Sequence, residues 1–592
     1  MGILGSTVSE VGRTVYTAVG SLGQQRTNGA SLWGTLVSPF LSFFLTNNPL
    51  PHGAPWGQLT EWNTNPYTHF PNTGVIREYD FTISRSVIAP DGYERPVLLV
   101  NGAFPGPLIE ANWGDKIIVN VHNNITGPED GTGIHWHGLL QIGTPWEDGS
   151  PGVSQCPIAP SRTLTYEFIA DLFGTSWYHS HYSGQYSGGL AGPMVIHGPT
   201  QSKYDIDIGP VMLSDWHHKD YFELVEEMLA PGGSPRVFSD NNLINGKMNF
   251  DCSTVEPNDA TPCTNNAGIS KFKLQRGKTH RLRLINSGSD GEQRFSIDGH
   301  VLTVIANDFT PIEPYNTNVV TLGVGQRTDV LVTADGPNSD GAFWMRSNLT
   351  VCTAAKQPFA VAAVYYDDAD TNELPRSTPW DAPDPGTCAN DDLAITKPLF
   401  PMAVPEPTFT QTMAIELFTN ASNITLWKFN GVSMRANFNH PILPQANEGN
   451  FTFEEEWNVL NFRGNSSVRL VVVNKTPGPH PMHLHGHNVY VLHEGPGDWD
   501  GLKIIRPDNP MRRDVQIVRG NGHLVLQFDA NPGVWGFHCH IAWHSAGGFF
   551  SSFIVQQDEV VRMRIPQTVW DTCREWDAWT ARNAPEQIDS GT

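Results

Sequence analysis

Short runs in which apolar and polar residues alternate dominate this chain, and glycine, proline, asparagine or serine closes most of them. A period of two puts neighbouring side chains on opposite faces of an extended strand, so the pattern predicts half-buried β-strands rather than helices. One arrangement returns three times: a Gly, a few polar residues, an alternating strand and a closing Asn. It reads "GDKIIVNVHN" at 114–123, "GKTHRLRLIN" at 277–286 and "GNSSVRLVVVN" at 464–474. A second shared element follows each copy, "IHWHG" (134–138), "FSIDGH" (295–300) and "PMHLHGH" (481–487). Such a repeat predicts an all-β chain of three consecutive Greek-key β-sandwiches, each about 160 to 190 residues long. The expected boundaries are an N-terminal leader and extension over 1–58, then domains at 59–208, 209–400 and 401–592.

Aligned on the repeated Gly, His135 and His137 of the first copy fall opposite His483 and His485 of the third, while the second copy has Ser296 and Asp298 there. A later strand behaves alike: "WYHSH" (177–181), "WMRSN" (344–348) and "FHCH" (537–540) put His179 with His538 and His181 with His540, against Arg346 and Asn348 in the middle copy. The outer copies thus carry four histidines each on matching faces, and the middle copy carries none. Five His-x-His pairs occur where composition predicts about one. The pattern fits a metal cluster clamped between domains one and three, with domain two as a spacer.

Near the end, "GVWGFHCHIAWHSAGGFF" (533–550) reads as a strand from its aromatic and β-branched residues, so His538 and His540 face one way and Cys539 the other. Cys539 then belongs to a second metal site with His480 and His544. Two imidazoles and a thiolate form the trigonal set of a copper electron-transfer site, and residues 538–540 join the two sites covalently.

Composition adds context. A formal charge of −23 argues against nucleic acid and anionic membranes as partners. Seven cysteines fit three disulfides and one special thiol: Cys252 with Cys263 and Cys352 with Cys388 across local loops, Cys156 with Cys573 tying front to back, and Cys539 left over. Sequons begin at Asn124, Asn348, Asn420, Asn423, Asn450, Asn465 and Asn474 and favour secretion as a glycoprotein. The apolar run "SLWGTLVSPFLSFFL" (31–45) is too short to span a membrane and reads as an atypical leader or a docking segment.

The four motifs "HWHG", "WYHSH", "HPMHLHGH" and "HCHIAWH" stand in order, and with them the sequence resembles the multicopper oxidases, most closely the laccases of ascomycete fungi. The resemblance covers about residue 48 to the end and implies three cupredoxin-like domains and four copper ions. It assigns the type 1 copper to His480, Cys539 and His544, and the type 2 copper to His135 and His483. The type 3 pair takes His137, His179, His181, His485, His538 and His540. His487 becomes a supporting residue rather than a ligand. Phe549, or Phe550 if the register slips by one, takes the axial position of the type 1 copper without donating to it. Asp148 matches an acid near the cluster's solvent channel. Glu223 matches an acid lining the phenol pocket, with Glu226 and Glu227 as near alternatives. The ending Asp589, Ser590, Gly591, Thr592 is similar to the family's C-terminal plug, with Thr in place of an aliphatic residue.

The resemblance implies a secreted or cell-wall enzyme, a monomer without a membrane span, that oxidises phenols or aromatic amines and reduces dioxygen to water. Two rival readings are a ferroxidase-type metal-ion oxidase and a non-catalytic glycoprotein. The first needs acids beside the type 1 ligands, whose chain neighbours are Pro479, Pro481, Trp543 and Ser545. The second should lack Cys539 or several of the ten histidines, and this chain has them all.

Overall fold

A computed structural model describes residues 31–46, 53–127 and 130–592. Its strands build three β-sandwiches in sequence, two sheets each, with strands running from Ile76 to His197, Ile206 to Tyr366 and Phe409 to Val555. The strand Ile206–Trp216 straddles the expected boundary at 208/209 and belongs to the second sandwich. Alternation in sequence becomes alternation in burial. In Lys116–Asn123 the side chains of Ile117, Val119 and Val121 are fully buried, and the residues between them are half-buried.

The closing Asn of the repeat has a structural reason. Asn123, Asn286 and Asn474 are each buried, and each Nδ2 donates to two loop carbonyls: those of Asp130 and Ile158, Gly291 and Leu322, and Gly478 and Arg519. A buried amide must find partners, and Asn supplies both donors at one point. This use removes Asn474 from the expected glycosylation sites. Asn124, Asn348, Asn423 and Asn450 are exposed.

Strand register bears out the alignment of the copies. His135 pairs with His179, Ser296 with Arg346 and His483 with His538 on corresponding antiparallel strands. Where the outer copies place imidazoles, the middle one has a bidentate ion pair, Arg346 to Asp298, with both bonds at 2.8 Å. The same position therefore holds either a ligand or a self-satisfied salt bridge.

The three expected disulfides, Cys156–Cys573, Cys252–Cys263 and Cys352–Cys388, are present, and Cys539 is free and buried. The apolar run at 31–45 docks onto the body of the molecule. Trp33 packs with Leu108 and Val195, the Gly34 carbonyl accepts from Lys271 N–H, and Leu41 bridges to Asp207. Among the described residues no helix is long and apolar enough to cross a membrane.

Asp298→Ala should destabilise the fold by roughly 2–4 kcal/mol through the orphaned Arg346, yet leave metal content unchanged. His485→Ala should lower it. Equal metal loss in the two variants, read by elemental analysis, would refute the correspondence between copies.

Candidate metal centres

Two pairs of antiparallel strands, one from each outer sandwich, bring eight buried imidazoles together. Most of the rings use one nitrogen to anchor themselves. His135 Nδ1 donates to the Asp148 carbonyl at 2.8 Å, His179 Nδ1 to Ser180 at 2.9 Å, His483 Nδ1 to Asp514 at 2.8 Å and His538 Nδ1 to Cys539 at 3.0 Å. His485 Nδ1 meets the Asp148 carboxylate at 2.9 Å, and His137 Nε2 meets that of Asp514 at 3.0 Å. These bonds fix the tautomers and leave the other nitrogen with a lone pair directed inward.

The inward atoms converge. His135 Nε2 and His483 Nε2 lie 3.5 Å apart, His540 Nε2 and His137 Nδ1 3.2 Å, His485 Nε2 and His538 Nε2 3.0 Å, and His181 Nε2 and His538 Nε2 3.5 Å. His179 Nε2 is buried without a hydrogen-bond partner. Three-donor sets form at His135, His137 and His483, at His137, His179 and His540, and at His181, His485 and His538. Burial, then mutual repulsion, keeps seven of the rings neutral: His137, His179, His483, His485, His538 and His540 are pushed well below the ordinary imidazole range, and His181 down to about 3. Neutral nitrogens at such spacing repel unless a cation sits between them. Metal–nitrogen bonds of about 2 Å match the separations, so the residues fit a metal cluster.

The middle domain is more than a spacer. Its Arg327 grips the Asp514 carboxylate, with Nη2 to Oδ2 at 2.6 Å, and its Asp308 accepts from Arg513 Nε at 2.9 Å. Asp514 in turn orients His137 through its side chain and His483 through its carbonyl. The backbone at Gly325, also from the middle domain, lies so close that a Cβ there would sit 2.9 Å from His540 Cδ2. Arg327 opens the strand Arg327–Thr333 and Asp514 sits between the strands Met511–Arg513 and Val515–Val518, so no local pattern in the sequence marks either for this role. His487 Nδ1 donates to the carbonyl of His485 at 2.8 Å.

On the opposite face, Cys539 Sγ lies 3.7 Å from His480 Nδ1 and 3.4 Å from His544 Nδ1, with the two nitrogens 3.2 Å apart. Burial raises the Cys539 thiol well above its ordinary range and lowers His480 to about 3, so a bound cation is what makes a thiolate here. Thr476 Oγ1 meets His480 Nε2 at 2.9 Å. The Phe549 ring lies 5.1 Å from that of His480, whereas Phe550 stacks on His538 at 5.2 Å on the cluster side. The register therefore selects Phe549 as the apolar neighbour of the Cys539 site.

A cavity of about 150 Å³ opens beside His480 and His544. Glu223 does not line it. The residue faces solvent on the helix Tyr221–Leu229, because the buried face of that helix is taken by Tyr221, Phe222, Leu224, Val225 and Met228. Glu226 is exposed as well, and Glu227, also exposed, lines a neighbouring cavity of about 460 Å³. The cavity's acids are Asp290 and Glu292, brought by a loop of the middle domain that chain neighbours of the ligands could not reveal. Burial, reinforced by Asp215, lifts Asp290 to about 7, and burial, reinforced by Asp384, lifts Glu292 to about 8.

Residues 589–592 are buried. Asp589 accepts from Ser183 Oγ at 2.6 Å, Ser590 Oγ donates to the Ser545 carbonyl at 2.7 Å, and Thr592 lines a narrow void with His179, His181 and His538.

Three consecutive segments, residues 82–201, 207–369 and 418–559, match multicopper oxidase families. Laccase-2 of Botryotinia fuckeliana is 38% identical over 553 residues, covering 90% of this chain and 92% of that protein. The crystal structure of laccase from Botrytis aclada superposes with a TM-score of 0.82 at 36% identity, over 91% of this chain and 99% of that one. Fet3p, a multicopper oxidase that functions in iron import, superposes with a TM-score of 0.75 at 26% identity, over 85% and 95%. The chain belongs to the multicopper oxidase family. Within it, this is a laccase-like, copper-dependent oxidoreductase.

Arg327→Met should leave Asp514 buried and unpaired, destabilising the protein by roughly 3–5 kcal/mol and lowering copper content even at temperatures where the variant stays folded. Denaturant unfolding and elemental analysis check both. Unchanged values in both measurements would contradict the clamp.

Proposed function

We propose that the protein is a secreted monomer that oxidises phenols and aromatic amines one electron at a time and delivers four electrons and four protons to dioxygen, forming two waters. In this reading His480, Cys539 and His544 hold a type 1 copper, and His135 and His483 a type 2 copper. His137, His179 and His540 hold one type 3 copper, and His181, His485 and His538 the other. The observation that carries the reading is the segment His538–Cys539–His540, whose outer residues face the cluster while its central thiol faces the second site. Two buried metal sets joined by one covalent bridge support electron transfer between them. All ligands come from one chain, which supports a monomer, and three disulfides with exposed sequons support secretion.

Copper bound in these sets supplies the electron acceptor on the donor side and the site of dioxygen reduction on the other. The chain's own residues do the rest. Asp290, half-buried in the wall of the donor cavity and close enough for its charge to act on the Cys539 thiol, receives the proton that a phenol releases on oxidation. Phe549 offers no donor atom to the type 1 site, which favours the reduced state and a high potential. Asp148 holds His485 and, through its carbonyl, His135, and is hydrogen-bonded to Ser150 Oγ at 2.8 Å. That chain is suited to bring protons toward the cluster. Thr592 and the buried Asp589 line or seal the approach to it.

Oxygen uptake against pH with a phenol and with hexacyanoferrate(II), which gives up no proton, tests this reading. Asp290 must be ionised to accept a proton, so kcat/KM for the phenol should rise with pH up to about 7, a limb the hexacyanoferrate profile lacks. Asp290→Asn should remove the limb and lower phenol kcat/KM by roughly 10- to 100-fold. Release of hydrogen peroxide in place of water, or the same pH limb with both donors, would contradict it.

A further inference from the structure

The donor cavity beside His480 and His544 does not end the recess. At about 150 Å³ it has room for one aromatic ring, since a cavity of about that size accommodates benzene. A second cavity of about 460 Å³ adjoins it, and Arg236 and Val237 line both. The outer cavity alone falls in the size range of small-molecule sites, about 300–1,000 Å³.

Its walls are aromatic and fixed. The rings of Tyr93 and His218 stack at 4.0 Å and 5° between planes, and Phe250 stands edge-on to His218 at 4.5 Å. Tyr93 donates to Asp259 at 2.7 Å and His218 Nε2 meets Asp91 at 2.8 Å, so both rings are held before any ligand arrives. Phe238 lines the same cavity and leaves 59% of its surface exposed, an apolar ring that the fold itself does not cover. Among the charges, Lys219 is paired with Glu227, Lys356 with Asp240, and Asp259 accepts from Tyr93; Arg236 at the join and Glu256 in the outer cavity make no ion pair among the described residues, which leaves Arg236 as the cation open to an acidic group. Its charge is felt by Asp290 and by His544.

We propose that the two cavities form one bipartite donor site for extended phenols of two aromatic rings. The ring to be oxidised lies in the inner cavity, the second ring lies between Phe238 and the Tyr93–His218 stack, and an acidic substituent between the rings pairs with Arg236. The inner ring gives its electron to the type 1 site and its proton to Asp290, as a one-ring phenol does; the outer cavity contributes only binding. This inference rests on the laccase reading and specifies the donor.

Three donors with matched oxidisable rings test it: para-tert-butylphenol with one ring, bisphenol A with two, and diphenolic acid with two and a carboxylate between them. In the native holoenzyme KM should fall roughly 3- to 10-fold from the first to the second, the scale of one aromatic contact. It should fall by roughly a further 2- to 5-fold to the third, the scale of a solvent-exposed ion pair, while kcat changes little. Phe238→Ala should erase the first gap and Arg236→Gln the second. Equal KM values for the three donors, or gaps that survive both substitutions, would overturn the bipartite site. If para-tert-butylphenol is not oxidised at all, the laccase reading itself fails; if it is oxidised and the larger donors bind no better, only this inference does.

Discussion

Eight imidazoles sealed from water, each with a lone pair aimed at its neighbours, form an arrangement that cannot stand on its own interactions. Burial disfavours protonation, and bonds to Asp148, Asp514 and backbone carbonyls prevent six of the rings from turning away. Adding protons would exchange lone-pair repulsion for buried positive charge, which costs more. Only a compact electrophile between the nitrogens relieves the conflict, and the fold is arranged so that this relief also ties the first sandwich to the third. The Arg327–Asp514 and Arg513–Asp308 pairs extend the tie through the second. Metal site and domain interface are therefore one network, with Asp514 at its centre.

The same strand positions answer two different needs across the three copies. In the outer domains they hold imidazoles that are incomplete alone, and in the middle one they hold an arginine and an aspartate that satisfy each other. Having closed its own site, the middle domain supplies parts to the others: the clamp on Asp514, the close backbone at Gly325, and the acids Asp290 and Glu292 beside the donor cavity.

Whatever depended on local spacing was legible in the sequence. The repeat located the strands, the His-x-His pairs gave the cluster, and alternation separated Cys539 from its neighbours, because a strand's period of two translates directly into faces. The cysteines could be paired because four of them flank two local loops, which left Cys156 for Cys573 and Cys539 unpaired. What depended on distant packing was not legible. Glu223 was matched to the phenol pocket through a motif, but its helix turns it to solvent, and the acids that line the cavity come from a loop about 70 residues further along the chain. Asn474 satisfied a three-residue glycosylation pattern while its amide was already spent on two carbonyls. Arg327 and Asp514 are 187 residues apart, and nothing local marks them as partners.

The convergent donors are arranged to hold copper in two linked but distinct sets. Elemental analysis combined with visible and electron paramagnetic resonance spectra of the purified protein, native and Cys539→Ser, tests it most directly. The native protein should carry about four copper ions per chain, the complement of two joined sets, and show an intense visible band from the thiolate. The variant should lose the band and about one copper while keeping the cluster. A native protein with zinc in these positions, or a variant that keeps the band, would contradict the account.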